Sequence, residues 1–285
     1  MIYLEHFEIP DRWREEDFNM ALKETCYDTI YPFFTLTCNG LKMLDFEDIT
    51  ILYGGNGSGK TTALNVIAET IGAKRDTLFN KSNFFADYTD MCSYNMINRS
   101  FTEARIITSD DVFDFMMNIR MYNEDIDTAR DELLEGYYKL KNQEFQLKSL
   151  ADIDLLRQKN LQRRKTKSQY IRGMLSDNVR EHSNGESAFI YFTEKIQDNG
   201  LYILDEPENS LAPERQVELV KFISDSSRVF GCQFIIATHS PFILSLRGAK
   251  IYDLDECPVD IKKWTELPNV KAYYNFFREH EDDFY

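Results

Sequence analysis

Short runs that are almost continuously apolar alternate along this chain with longer stretches in which apolar residues recur every three or four positions. Ile49 to Tyr53, Leu201 to Leu204 and Gln233 to Ala237 are runs of the first kind. A strand buried on both faces reads this way, because helices covering both sides of a parallel sheet leave it no polar face. Thr61 to Ile71 is of the second kind, with Leu64, Ile67, Ala68 and Ile71 at helical spacing. A second such segment opens at Pro213, a residue favoured at the first helical position, and carries Val217, Leu219, Val220 and Ile223. Ala249 to Leu254 predicts a further strand, and Met1 to Pro10 a short alternating one. Strands alternating with helices predict an α/β fold, a mostly parallel sheet flanked by helices.

The rhythm breaks from about Val112 to Arg180. This stretch is rich in Glu, Lys, Gln and Arg, lacks proline, and has glycine only at Gly136 and Gly173. Leu133, Leu140 and Leu147 recur every seventh residue, with Tyr137 between the first two. So few heptads do not make a long coiled coil, and a pair of helices is the more economical reading. The division that follows is an N-terminal lobe over 1–111, an inserted helical subdomain over 112–181 and a C-terminal lobe over 182–285. The chain closes on Glu279-His280-Glu281-Asp282-Asp283, read as a solvated tail.

Charge narrows the range of partners. Formal net charge is −15 over 285 residues, so the protein as a whole repels nucleic-acid backbones and anionic membranes. A local patch would have to work against that background. One exists: Arg157, Lys159, Arg163, Arg164, Lys165, Lys167 and Arg172 follow one another with no acidic residue between them. Such a run can contact phosphates, or it can be a solvated helix face or a dock for an acidic surface. Five cysteines without a C-x-x-C pair point to free thiols in a reducing compartment. With no signal-like N-terminus and no stretch apolar enough to span a bilayer, the expected location is cytoplasmic, without membrane contact.

The chemistry gathers where apolar runs end. Ile49 to Tyr53 leads into Gly54-Gly55-Asn56-Gly57-Ser58-Gly59-Lys60-Thr61-Thr62, the Walker A spacing G-x-x-x-x-G-K-T between a strand and a helix. Glycines let successive backbone N–H groups turn inward on a phosphate, and the following helix adds its dipole. Lys60 supplies a cation for the β- and γ-phosphates, and the Thr61 hydroxyl can ligate Mg²⁺. A glycine-rich turn beside a surface lysine would explain the residues alone, but not their place between a strand and a helix. Leu201 to Leu204 ends in Asp205-Glu206-Pro207. By itself this fits an ordinary strand-to-turn sequence. Downstream of a Walker A, Asp205 becomes the second Mg²⁺ anchor, and Glu206 the group that orients or deprotonates the attacking water. His239 follows Gln233 to Ala237 at the carboxyl edge of the sheet, where open α/β sheets bind ligands, and can sense the γ-phosphate.

With these motifs in one order, the chain resembles the ATP-binding-cassette ATPase superfamily. Within it, the chain is most similar to the soluble branch of chromosome-maintenance and DNA-repair clamp ATPases and small bacterial stand-alone ATPases labelled AAA-family. The likeness is carried by Ser183-Asn184-Gly185-Glu186-Ser187, by Gly200 to Glu208 and by Gln233 to Pro241. It runs from the first strand to about Leu254 and is poor across the insertion. The resemblance implies an α/β P-loop NTPase, ATP and Mg²⁺ as cofactors, ATP hydrolysis, and a homodimer formed on ATP binding. It makes Ser183, Gly185 and Glu186 the signature that faces ATP on the other subunit, although these residues alone fit a plain helix N-cap better. It places Asp110 where transporter cassettes have the Q-loop glutamine, able to reach Mg²⁺ through water. Ala212 stands where many members have the D-loop aspartate. Tyr31, Phe33 and Phe34 lie where an adenine-stacking aromatic belongs, with no choice among them.

Three jobs fit this reading. One is an ATPase switch acting on an unknown protein effector, in a setting such as bacterial defence that the resemblance alone implies. Another is a DNA-associated ATPase relying on the basic run. The third, a transporter motor, is disfavoured by the polar insertion and by Asp110.

Overall fold

The computed structural model describes residues 1–23, 26, 27, 29–97, 100–142, 184–209 and 211–284. Met1–Phe113 and Asn184–Tyr285 together form one compact unit, and Asp114–Ser183 forms a second. The first unit is built on a six-stranded sheet. In chain order its strands are β3 (Ile49–Tyr53), β5 (Ala104–Thr108), β6 (Leu201–Asp205), β7 (Gln233–Ala237), β8 (Lys250–Asp253) and β9 (Asp260–Ile261). In space they run β5-β6-β7-β3-β8-β9, parallel except for the last pair. Every residue of β3, β6 and β7 is buried, as continuous apolar runs predict for central strands.

Helix α2 (Lys60–Ile71) packs against β5, β6 and β7. Leu64, Val66 and Ile67 are all but inaccessible, each worth ~1.5–3 kcal/mol of burial. The helix stops at Gly72, whose φ of +69° lets its N–H turn back to the carbonyls of Ala68 and Glu69. Helix α6 (Pro213–Arg228) carries proline at its first position and buries Leu219 and Ile223, whereas Val217 stays outside.

The predicted N-terminal strand, β1 (Leu4–Glu8), joins a different sheet. It lies between β2 (Met43–Asp45) and β4 (Ser93–Met96), antiparallel to both. Gln233 ties the two sheets together. Its side chain is fully buried at the start of β7, accepts from the N–H groups of Tyr3 and Leu4 at 2.9 Å each, and donates to the Leu4 and Glu47 carbonyls. All four polar sites of the amide are used, which is what makes burying it tolerable.

Of the second unit the described part is the run of α4 (Ser109–Asn142) beyond Phe113. The basic run Arg157 to Arg172, Leu147 and the expected second helix lie outside the described residues. Among the described residues no helix is long and apolar enough to cross a membrane. The C-terminal stretch is more structured than a tail: α8 (Pro268–Glu279) precedes a 3₁₀ turn over Glu281–Phe284.

Candidate functional site

The parallel strands deliver their chemistry to one edge of the sheet. The Gly54–Gly59 loop follows β3, Asp205 closes β6, His239 follows β7, and Asp110 opens α4 just after β5. This is the carboxyl edge, where helix N-termini and loops leave a crevice.

The loop is shaped by sterics. A Cβ on Gly54 would lie 2.5 Å from Ser58 Oγ, and Gly59, at φ +92°, would press one against Leu36 at 3.2 Å. Outer braces fix the rest: Asn39 donates to the Ser58 carbonyl at 2.9 Å, and the Gly55 N–H donates to both oxygens of Asp255 at 2.9 and 2.8 Å. Above the loop lies a cavity of 330 Å³ lined by Gly55 through Thr62, with Thr35 and Glu206. Lys60, buried, folds over the loop and donates from Nζ to the Gly54 and Gly55 carbonyls at 2.7 and 3.0 Å. Ser58 Oγ is buried at the same spot, without a partner among the described residues. A cradle of glycines holding a lysine and an unmatched hydroxyl is chemically suited to a phosphate chain.

Asp205 and Thr61 meet beside it. Thr61 Oγ1 donates to Asp205 Oδ1 at 3.2 Å. Both line a second cavity of 580 Å³, together with Asp110, Glu206, Asn65 and Arg75. Hard oxygen donors on one wall suit Mg²⁺, which takes one or two carboxylates and leaves its other positions to water and phosphates. Asp111, next to Asp110, caps α4 instead, accepting from the Thr108 N–H, the Thr108 hydroxyl and the Thr77 N–H.

Burial pushes the Asp205 carboxyl up to about 6; the Thr61 hydrogen bond and Lys60 oppose this, while Glu206 and Glu208 reinforce it. An aspartate that is 3.8 when unfolded and about 6 when folded holds more protons in the folded state. Stability from this group is therefore full below pH 4 and is lost as pH rises through 6, by about 3 kcal/mol. Asp205→Asn keeps the oxygen that Thr61 uses and removes the buried charge. Without metal or nucleotide it should raise the melting temperature at pH 8 by about 5–10 °C, and the gain should vanish toward pH 4. Thermal unfolding across that range checks it; a gain that does not depend on pH would mean that Asp205 is not held in this way.

Glu206 sits in the left-handed region at φ +47°, uncommon for a non-glycine residue and costing on the order of 1 kcal/mol. The turn aims its carboxylate back over the loop. Oε1 lies 3.8 Å from Lys60 Nζ and 3.7 Å from His239 Nδ1, and Oε2 accepts from Asn209 Nδ2 at 2.9 Å. The backbone of His239 is clamped from both sides. Glu208 Oε1 accepts its N–H at 3.0 Å, together with the Ser240 N–H and the Thr238 hydroxyl, and Asn269 donates to its carbonyl at 2.7 Å.

The structure thus brings Lys60, Thr61, Asp205, Glu206, His239 and Asp110 to one edge. Gly185 and Glu186 lie in the first turn of α5 (Asn184–Lys195), outside the lining of both cavities, and Glu186 is met by Arg215 at 3.4 Å. Ser183 lies outside the described residues. Among the three aromatics, Phe33 is buried and stacked on Phe18 at 4.5 Å, so it belongs to the core. Phe34, at φ +61°, donates its N–H to Glu15. Tyr31 lines the larger cavity and donates its hydroxyl to Thr62 at 3.1 Å. Sequence reasoning placed Glu208 and Asn209 in motifs without giving them a role, and did not foresee Asn269 or Asp255. The only local signal was a third carboxylate two residues after Glu206.

The fold is a mostly parallel α/β sheet flanked by helices, with the glycine loop and the carboxylates at one edge. Residues 180–244 match the AAA ATPase domain family. No curated protein matches the chain. Among solved structures it is similar to an Smc head domain with an extended coiled coil bound to the C-terminal domain of ScpA, derived from Pyrococcus furiosus. The identity is 14%, over 96% of this chain and 100% of that one, with a TM-score of 0.43. It is also similar to the SMC head domain from Thermotoga maritima (14% identity, 92% and 99% covered, TM-score 0.41). A third similar structure is a putative metal-chelate type ABC transporter in an inward-facing conformation (15%, 80% and 77%, TM-score 0.36).

Proposed function

We propose that this chain binds Mg-ATP along the loop Gly54–Thr62 and hydrolyses it to ADP and phosphate once a second copy has closed over the γ-phosphate. The observation that carries this reading is the placement of Glu206. Its carboxylate hangs over the loop between Lys60 and His239 and is held by Asn209. In the proposed reaction Lys60 leaves its two carbonyls for the β- and γ-phosphates. Glu206 takes the proton of the attacking water, and His239 hydrogen-bonds the γ-phosphate. Thr61 and Asp205, with Asp110 through water, would hold Mg²⁺, which when bound neutralises charge on the phosphates.

The side of the cavity away from the loop is left to Ser183, Gly185 and Glu186 of a second subunit, in a two-fold arrangement in which each copy completes the other's site. The closed and open states would then signal to a protein effector, bacterial defence being one such setting. Light scattering tests this. Glu206→Gln protein should pass from monomer to dimer on adding Mg-ATP, and adding Ser183→Arg should block that passage while each chain still binds nucleotide. Closure of the double variant, or hydrolysis at the normal rate by Ser183→Arg alone, would return Ser183 to the role of helix cap. The second reading, a DNA-associated ATPase, rests on the basic run Arg157 to Arg172. Titration of the closed protein with duplex and single-stranded DNA at low salt separates the two, since phosphate contacts must weaken steeply as salt rises.

A further inference from the structure

A third cavity, apolar in character, backs onto the His239 clamp. It measures 580 Å³ and is lined by Glu208, His239, Phe242 and Trp264 and by the face of α8 that carries Tyr273 and Phe277. Helix α8 sets an unusual number of aromatic side chains in water. Tyr273, Tyr274, Phe276 and Phe277 are 50%, 64%, 55% and 54% exposed, on a helix only 12 residues long. A helix that had found its full packing would turn that face inward, and clustered apolar exposure of this kind marks a contact surface.

Two atoms say what the contact brings. Glu208 is 7% exposed; its Oε1 serves three donors, and its Oε2 is buried with no partner among the described residues. Asn269, in the first turn of α8 and behind the lining of the cavity, gives its Nδ2 to His239 and leaves Oδ1 without a partner among the described residues. The His239 carbonyl demands a donor, so this orientation of the amide is fixed by chemistry. Both unmatched atoms are acceptors, and an unmatched buried acceptor costs ~1–3 kcal/mol. Among the described residues of the lining Glu208 is the only carboxylate, with no lysine or arginine beside it, and beyond Phe277 the chain adds Glu279, Glu281, Asp282 and Asp283 against the single Arg278. A second copy would bring the same carboxylates against these. A basic partner would complement them.

We propose that this groove docks an apolar–basic segment of a partner protein. Its apolar anchors would lie against Tyr273 and Phe277, and a lysine, arginine or backbone N–H would meet Glu208 Oε2. Because Glu208 holds the N–H and Asn269 the carbonyl of His239, occupancy of the groove acts on His239. Docking rests on the groove alone; its effect on turnover rests on the hydrolytic reading above.

The probe is a short helix-forming peptide of leucine and lysine, with a twin carrying glutamate in place of lysine. The reporter is Trp264, made the sole tryptophan of the full chain by Trp13→Phe, in physiological salt without nucleotide. The lysine peptide should shift Trp264 emission saturably, and Tyr273→Ser or Phe277→Ser should weaken it about tenfold or more. Hydrogen exchange on the unsubstituted protein should slow over 239–242 and 268–277, which guards against a variant that merely misfolds. Equal binding by the glutamate twin, or undiminished binding in the serine variants, overturns the proposal. So does self-association relieved by Phe277→Arg, which would make a second copy the occupant. With Mg-ATP added, docking that leaves turnover unchanged overturns the link to His239 and leaves the docking site standing. A protein that never hydrolyses ATP sinks the earlier reading instead.

Discussion

Glu206→Gln is expected to lower ATP turnover by about two or more orders of magnitude while leaving Mg-ATP affinity nearly unchanged, the usual size of a lost general base. The amide keeps the shape and the length of the side chain. It can still meet Asn209, and the left-handed backbone at φ +47° is set by the turn and not by the charge. What disappears is the proton acceptor between Lys60 and His239. Single-turnover hydrolysis, measured beside nucleotide binding by calorimetry, separates the two effects. Turnover at the unsubstituted rate would remove Glu206 from the reaction.

Lys60→Ala should raise the dissociation constant for Mg-ATP about a hundredfold or more, or ~3 kcal/mol. The loss has two parts. The γ-phosphate loses its main cation, and hydrogen bonds to charged groups contribute ~1.5–3 kcal/mol each. The Gly54 and Gly55 carbonyls also lose the donor that holds them at 2.7 and 3.0 Å, so the empty loop loosens. A melting curve without nucleotide isolates that second part, and calorimetry with Mg-ATP gives the sum. Unchanged affinity would mean that nucleotide binds elsewhere.

The features visible in the sequence are those where one residue's position is set by the strand it terminates. β3, β6 and β7 are buried on both faces, so their apolar runs announce them, and whatever follows each run lies at the carboxyl edge. β5 hid itself because Arg105 interrupts its apolar run. In the fold this guanidinium is neutralised at the sheet edge by Asp76 at 2.8 Å and Glu103 at 3.3 Å. The antiparallel strands β2 and β4 are three and four residues long, too short for a period to show. At the site, Glu208 and Asn269 could not be read as a pair. They stand 61 positions apart and meet only through the His239 backbone. Phe33 and Tyr31 are alike in sequence, but one faces Phe18 and the other the cavity.

The strand order has a consequence for how the chain is made. β3 leads into the glycine loop, yet both its neighbours in the sheet, β7 and β8, are encoded more than 180 positions later. The Gln233 amide that satisfies the N–H groups of Tyr3 and Leu4 also comes late. A ribosome adding ~5–20 residues per second therefore holds β3 without its neighbours for roughly 10–40 s. During that time an apolar strand and its glycine loop are open to chaperones. Closure of the sheet around β3 waits for the emergence of β7 and β8. Substitutions in β7 should therefore delay the protein's first appearance as a folded species even where its final stability is unaltered.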